Sequence, residues 1–262
     1  MKPSRSVILI TLSALLVFSS CVSRKKLTYL QYSDQSLKHM TNVEESYASV
    51  TPASYKIMPN DILYVRVITP DPQWSALFNI QTGEAGITLE SAALSGYTVD
   101  IDGYIEIPFI PKVKVSGKTI PEIKADLEAI LKDYVTDAAL TIRMVENNVS
   151  IIGEVNAPGR YPILKDRLNI FEALAMAGDL SIYSNRQKVQ LIRPSAYGPV
   201  VREFSLSDRS ILSSEYYYIL PNDIIYAKPL HARSFMANSS VYNLFFTTIT
   251  TTLVVLSYFR TL

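Results

Sequence analysis

One cysteine and two histidines are all that this 262-residue chain offers to disulfide, thiol or imidazole chemistry. With Cys21 alone near the start, the body can form no internal disulfide, and its stability must come from packing. His39 and His231 stand at opposite ends of the body, without cysteines or paired acids at ligand spacing, which argues against a metal site. The glycine patterns that grip phosphate or raise a nucleophile are missing: no P-loop, Gly-x-Gly-x-x-Gly or Gly-x-Ser-x-Gly occurs. Charge is balanced, 25 Lys plus Arg against 24 Asp plus Glu, and no basic stripe suggests nucleic acid. Between Ser234 and Phe259 charge is absent altogether.

What the chain does contain at both ends is directed to a membrane. Lys2 and Arg5 form a basic start, Val7 to Phe18 an apolar run, and small Ser19 and Ser20 precede Cys21. The arrangement resembles a bacterial lipoprotein signal over residues 1–20, with Cys21 as the acylated first residue of the mature chain and residues 21–50 as a tether. Phe18 departs from it, standing where such signals usually carry Leu. Val22 in place of an aspartate favours the outer membrane. One lipid chain holds a protein only marginally, so the acylated cysteine adds to other anchoring. About 210 residues between the two ends suffice for two modest cores.

An internal repeat organises that body. Ile57-Met58-Pro59-Asn60-Asp61-Ile62-Leu63-Tyr64 recurs as Ile219-Leu220-Pro221-Asn222-Asp223-Ile224-Ile225-Tyr226. In each copy proline fixes φ, asparagine tolerates left-handed backbone, and aspartate can bond the backbone just ahead of a β-branched strand. Both copies read as turns leading into strands.

Within 51–146, Tyr55 to Ile68 alternates as a strand that Pro70-Asp71-Pro72 breaks, and 73–96 reads as a long loop. Tyr97 to Ile101, the Asp102-Gly103 turn and Tyr104 to Ile107 predict a hairpin of type I′, and Val113 to Val115 a further strand. Thr119 with Glu122 forms a capping box, Pro121 lies in the first turn, and Ile123, Leu127, Ile130, Leu131 and Tyr134 line one helical face. Ala139 to Met144 is a strand. Within 147–232, Val149 to Val155 is a strand that turns through Pro158-Gly159 into Arg160 to Ile163. Asn169 caps a helix that Gly178 ends. Segments 189–192, 200–204 and 216–220 read as strands, completing an α+β module.

These residues together resemble a known family. Tyr55 to Asp61, the Asp102-Gly103-Tyr104-Ile105 turn leading to Ile107-Pro108, and Val115 to Thr119 look like the polysaccharide export domain of Wza-like proteins. Gly153-Glu154-Val155, Pro158 to Tyr161 and Ala175 to Gly178 look like the SLBB β-grasp domain that follows it. The resemblance spans roughly residues 50 to 230. It departs in Asn60 and Asn222, which replace a usual glycine, in the 73–96 insertion, and in having one SLBB unit. It implies a bacterial outer-membrane lipoprotein with its body in the periplasm and no enzymatic activity or cofactor. It further implies a homo-oligomeric ring, an octamer in the family's pattern, that exports capsular or exopolysaccharide and meets an inner-membrane polysaccharide co-polymerase.

In that family the C-terminal helices cross the outer membrane as a barrel, and the tail at 234–260 predicts a transmembrane helix. At 3.6 residues per turn Asn243, Thr247, Thr250 and Thr251 fall on a polar stripe, while Leu244, Phe245, Ile249, Leu253, Val255 and Leu256 cover the rest. Thr248 and Thr252 lie on the apolar side, where each hydroxyl can bond a carbonyl one turn earlier. The stripe makes Asn243, Thr247, Thr250 and Thr251 the expected lumen lining; a simple anchor is the plainer alternative. Two other functions compete: a glycan-binding envelope lipoprotein that forms no channel, and a transferase using Asp100-Ile101-Asp102 to hold a metal. Gly103 explains the latter as a turn. Tyr216, Tyr217 and Tyr218 suggest sugar stacking, but strand alternation favours packing.

Overall fold

Alternation decides the first strand, β1 (Ile62–Ile68), which turns Leu63, Val65 and Val67 inward. The computed structural model, which describes residues 27–31, 47, 51–79, 95–135, 137–230 and 239–261, is an α+β protein with two hydrophobic cores. After β1 the chain does not enter a loop as expected. Asp71 accepts the Gln73 N–H at 2.8 Å and Pro72 occupies the first turn, starting helix α1 (Pro72–Phe78), whose Phe78 is buried in the first core. A good cap and a proline already at helical φ were the overlooked signals; residues 80–94 of the expected loop lie outside the described residues.

β2 (Tyr97–Thr98) pairs with β1, whereas β3 (Tyr104–Ile105) pairs with β4 (Val113–Lys114), so the two arms of the expected hairpin have different partners. The turn between them is also not type I′. Asp100 N–H donates to the Tyr104 carbonyl at 2.9 Å and Gly103 N–H to the Asp100 carbonyl at 3.0 Å. Of the three residues enclosed, Gly103 alone takes positive φ, at +85°. The Asp100 side chain accepts the Tyr104 N–H at 2.7 Å and stabilises this longer loop.

Helix α2 (Ile120–Leu131) begins where expected, with the Glu122 carboxylate accepting the Thr119 N–H at 2.7 Å. Ile123, Leu127 and Leu131 are buried, but the helix stops before Tyr134, which is exposed, and Val135 takes the core position instead. β5 (Ala139–Met144) completes a three-stranded antiparallel sheet in the order β2-β1-β5.

The second core gathers on a five-stranded sheet. Its elements are β6 (Asn148–Gly153), β7 (Gly159–Pro162), β8 (Leu168–Asn169), α3 (Ile170–Met176), β9 (Ser184–Arg193), β10 (Val200–Phe204), a 3₁₀ turn (Arg209–Ser213), β11 (Tyr218–Ile219) and β12 (Ile224–Pro229). The sheet order is β10-β9-β12-β6-β7, with β12 and β6 parallel. Asn169 caps α3, accepting from Phe171 N–H at 3.0 Å and Glu172 N–H at 2.9 Å, and Ile170, Ala173 and Leu174 face the core. Gly178, at φ +70°, ends that turn as expected.

Within the expected tether, the described residues 27–31 pack on the second unit. Leu30 N–H donates to the Leu206 carbonyl at 3.1 Å and Gln31 N–H to Ser207 at 2.7 Å, so residues 27–31 form a strap on the second unit. At the other end, helix α4 (Ser239–Thr261) occupies the expected tail. Its 23 residues are about 35 Å long at 1.5 Å per residue. Yet among the described residues no helix is long and apolar enough to cross a membrane. The transmembrane helix expected over 234–260 is helical over its described part, 239–260, but is not a span by its own apolarity, because Thr247, Thr248, Thr250, Thr251 and Thr252 dilute the aliphatic and aromatic residues between them.

Candidate functional site

Three features carry the expected site residues: the pair of repeated turns, the strap and the C-terminal helix. In the turns the structure follows the sequence closely. Asn60 and Asn222 take left-handed φ of +72° and +64°, the conformation asparagine tolerates best after glycine. Asp61 Oδ2 accepts the Met58 N–H at 2.8 Å and Asp223 Oδ2 the Leu220 N–H at 2.8 Å. Pro59 and Pro221 supply the fixed φ ahead of them.

These turns flank the junction between the cores. Tyr55 hydroxyl donates to Asp61 Oδ2 at 2.9 Å, and the Asn222 side chain of the second turn is near enough to favour its ionised form. Burial, reinforced by the Asp61 charge, pushes the Tyr55 hydroxyl well above its ordinary value. Burial likewise pushes the Asp61 carboxyl up, against the Met58 N–H and Tyr55 bonds that favour its ionised form. Next to them Val145 N–H donates to the Ile62 carbonyl at 2.9 Å and Asn222 N–H to Asn148 at 2.7 Å, so backbone bonds close the junction from both sides. Asp223 is fully buried and is met by Arg193, Nε to Oδ1 at 2.9 Å and Nη2 to Oδ2 at 2.7 Å. This bidentate pair connects the ends of β9 and β12. Sequence reading missed both Tyr55 and Arg193 as partners, since 30 residues separate Arg193 from its acid.

The remaining turn residues are structural. Gly103 is required by its φ and by space, since a Cβ there would lie 2.4 Å from Ser116 Cβ. The Asp102 carbonyl accepts a bond from Lys114 Nζ, and Asp100 is engaged by Tyr104, so the Asp-x-Asp sequence serves the turn. Among the described residues no group of three or more His, Cys, Asp or Glu could hold a metal ion. Pro158 and Gly159 lead into β7, in a loop that docks on the end of α3 through Ala157 N–H to the Ala177 carbonyl at 2.9 Å. Tyr216, Tyr217 and Tyr218 are half-buried. Tyr217 meets Phe171 at 6.4 Å and Tyr218 at 4.9 Å between ring centres, and Arg202 Nε donates to the Tyr216 hydroxyl at 3.0 Å. They pack as an edge cluster, although only Tyr218 lies in a strand, so the expected alternation over 216–220 does not form.

The strap forms a second built contact that the sequence did not announce. Tyr29 hydroxyl donates to Asp179 Oδ1, its ring meets Phe171 edge-on at 5.9 Å, and the buried Arg186 guanidinium lies 4.9 Å from its centre. Arg209 Nε donates to the Leu30 carbonyl at 2.9 Å. Cys21, the expected acylation site, lies outside the described residues, as do His39 and His231.

In α4 the threonines are self-satisfied. Thr247 hydroxyl donates to the Leu244 carbonyl at 3.0 Å, Thr250 to Phe246 at 2.9 Å and Thr251 to Thr247 at 2.7 Å; Thr248 and Thr252 bond back in the same way. The expectation for Thr248 and Thr252 therefore extends to the whole row, and each oxygen keeps acceptor capacity on the helix surface. Leu244, Phe245, Leu253 and Val254 stay 60–69% exposed on the same helix. Asn243 belongs to α4, with its side chain outside the described residues.

Residues 49–145 match the family described as polysaccharide biosynthesis/export protein. The chain is 30% identical over 156 residues to the EPS I polysaccharide export outer membrane protein EpsA of Ralstonia nicotianae, covering 56% of this chain and 40% of that protein. It is 28% identical over 138 residues to the exopolysaccharide production protein ExoF of Rhizobium meliloti, covering 51% and 30%. Over 108 residues it is 27% identical to the capsule polysaccharide export outer membrane protein CtrA of Neisseria meningitidis, covering 40% and 27%. The chain thus spans well under half the length of these curated relatives.

Proposed function

We propose that this chain is an outer-membrane lipoprotein that exports capsular or exopolysaccharide, supported by the match of residues 49–145 to the polysaccharide biosynthesis/export family and by relatives named for polysaccharide export. In this reading Cys21 is acylated, 51–146 is the export domain, 147–232 is a single SLBB β-grasp unit, and several copies assemble into a ring in the periplasm. An inner-membrane co-polymerase supplies the polymer, and no bond is made or broken by this chain.

The observation that carries the channel reading is α4, where broad exposed apolar surface and a row of threonine oxygens share one helix. Alone, it falls short of a membrane span. In a closed ring the threonine row faces a wet lumen and only the apolar surface faces lipid, which removes the polar cost that a single helix would carry. A hydroxylated, uncharged wall offers a hydrated polymer weak and replaceable hydrogen bonds. Asn243, Thr247, Thr250 and Thr251 are the proposed wall. Removing residues 234–262 should abolish surface polysaccharide while leaving a folded lipoprotein; normal export without the tail refutes the wall.

The insufficient apolarity of α4 favours one competing reading, a glycan-binding lipoprotein without a pore. Electron microscopy of the detergent-purified full-length protein separates the two: rings support the conduit, and isolated subunits that bind glycan support the competitor.

A further inference from the structure

The two ends of the second unit leave it at one corner. On the N-terminal side, Leu30 N–H donates to the Leu206 carbonyl, and Leu206 N–H donates to Arg186 at 2.8 Å. Arg186, stacked on Tyr29, reaches the Leu180 carbonyl at 3.2 Å and the Ser181 carbonyl at 3.4 Å. On the C-terminal side, Pro229 pairs with Ser184, and Leu230 N–H donates to the Tyr183 carbonyl at 2.7 Å. The strap, through Arg186, and the exit, through Leu230, therefore both reach the short loop Ser181 to Tyr183, one on each side of Ile182.

That loop is rigid and presents an apolar tip. Ser181 N–H donates to the Glu154 carbonyl at 2.9 Å and its hydroxyl to the Glu154 carboxylate at 3.1 Å. Tyr183 N–H donates to Ser181 Oγ at 3.1 Å, and Ser184 N–H to the Ser181 carbonyl at 3.1 Å. Ile182, held between these bonds, is 67% exposed.

We propose that this corner, with Ile182 at its tip, rests in the phospholipid interface of the membrane that holds the acylated Cys21. The inference deepens the lipoprotein reading and rests on it. Thr28 is seven chain steps from Cys21, a reach of at most about 25 Å, and Ser239 is nine from Leu230, about 30 Å. A folded unit of roughly 80 residues is itself about 30 Å across. Both tethers are therefore no longer than the unit is wide, and both depart from this corner, so it is the part they draw against the bilayer. An isoleucine beside a half-exposed tyrosine suits the boundary between headgroups and acyl chains, where an apolar tip is buried and a hydroxyl stays wet.

The test places an environment-sensitive fluorophore on Ile182→Cys in the full-length acylated protein bound to phospholipid vesicles, with Tyr197→Cys as the control. Tyr197 is fully exposed in the turn between β9 and β10. Acylation occupies the Cys21 thiol, so the label reports only the introduced position. We expect blue-shifted emission at 182 and several-fold stronger quenching by a lipid-borne quencher there than at 197. A protein that floats with vesicles while position 182 stays as wet as 197 overturns the corner assignment and leaves the anchor intact. Shielding of 182 in detergent-free protein without vesicles assigns the corner to a second copy and overturns the proposal. A chain whose N-terminal peptide carries no lipid mass and which does not float overturns the anchor reading, and the corner assignment with it.

Discussion

Asp61 and Asp223 hold the same turn by the same bond, each carboxylate accepting the backbone N–H three residues upstream at 2.8 Å. They differ in what accompanies the bond. Asp61 has the Tyr55 hydroxyl at 2.9 Å, a neutral donor from its own unit, whereas Asp223 has the Arg193 guanidinium. The second turn is therefore fixed by charge and the first by a phenol.

Replacing Arg193 with alanine leaves a carboxyl that is fully buried and has lost its cation. Burial already pushes the Asp223 carboxyl up, and Arg193 pulls it back down; without Arg193 it rises further. An acid raised in the folded state favours folding only below its unfolded value, about 3.9, and that advantage is lost as pH rises through the folded value. The Arg193→Ala deficit should be small near pH 4 and grow to about 3 kcal/mol at neutral pH. Urea denaturation across that range checks it; a deficit that ignores pH would assign the loss to packing of the arginine stem.

The left-handed backbone of Asn60 and Asn222 gives a paired prediction. Asn60→Gly and Asn222→Gly should leave stability within about 0.5 kcal/mol, since glycine adopts that φ freely but loosens the unfolded chain. Asn60→Val and Asn222→Val should each cost about 2 kcal/mol, because a β-branched side chain is strained there. Denaturation midpoints of the four variants decide whether φ or the asparagine side chain matters more.

Local signals were legible where one stretch of chain settles its own conformation. β5 falls on Ala139–Met144 because its alternation buries Leu140 and Ile142, and α3 starts at its asparagine cap. The export-domain resemblance rested on the turns, which are the part that sequence fixes most tightly through φ. Hidden were the features made by distant partners. The parallel pairing of β12 with β6 joins residues about 75 apart, the Arg193–Asp223 pair joins two strands, and the strap places Tyr29 against Asp179 and Arg186. In each case the individual residue looks ordinary in its own neighbourhood. Asp102-Gly103 misled for the opposite reason: the dipeptide suits a two-residue turn, but the Asp100 side chain bonds Tyr104 N–H and closes a longer one.

Gly153 follows from that hidden pairing. Its φ is +92°, and a Cβ would lie 2.2 Å from the Ala227 carbonyl oxygen on the parallel neighbour β12. Backbone cannot yield as a side-chain tip would. Gly153→Ala should therefore cost about 3 kcal/mol, combining a strained φ with forced separation of two central strands. Thermal unfolding of the purified protein should drop by roughly 6–12 °C at 2–4 °C per kcal/mol for a protein of this size.

The threonines of α4 allow a structural role to be separated from a wall role. Each hydroxyl of Thr247, Thr250 and Thr251 bonds a carbonyl of its own helix. Valine has the same shape without the oxygen, and both residues have similar helix propensity. The triple change Thr247→Val, Thr250→Val, Thr251→Val should thus leave helix content by circular dichroism unchanged and make the tail more lipid-compatible. If the row lines a wet lumen, the same change turns the wall apolar, and surface polysaccharide should fall sharply while the protein still reaches the outer membrane. Undiminished export by this triple variant would mean that the threonines serve the helix and the polymer never meets them.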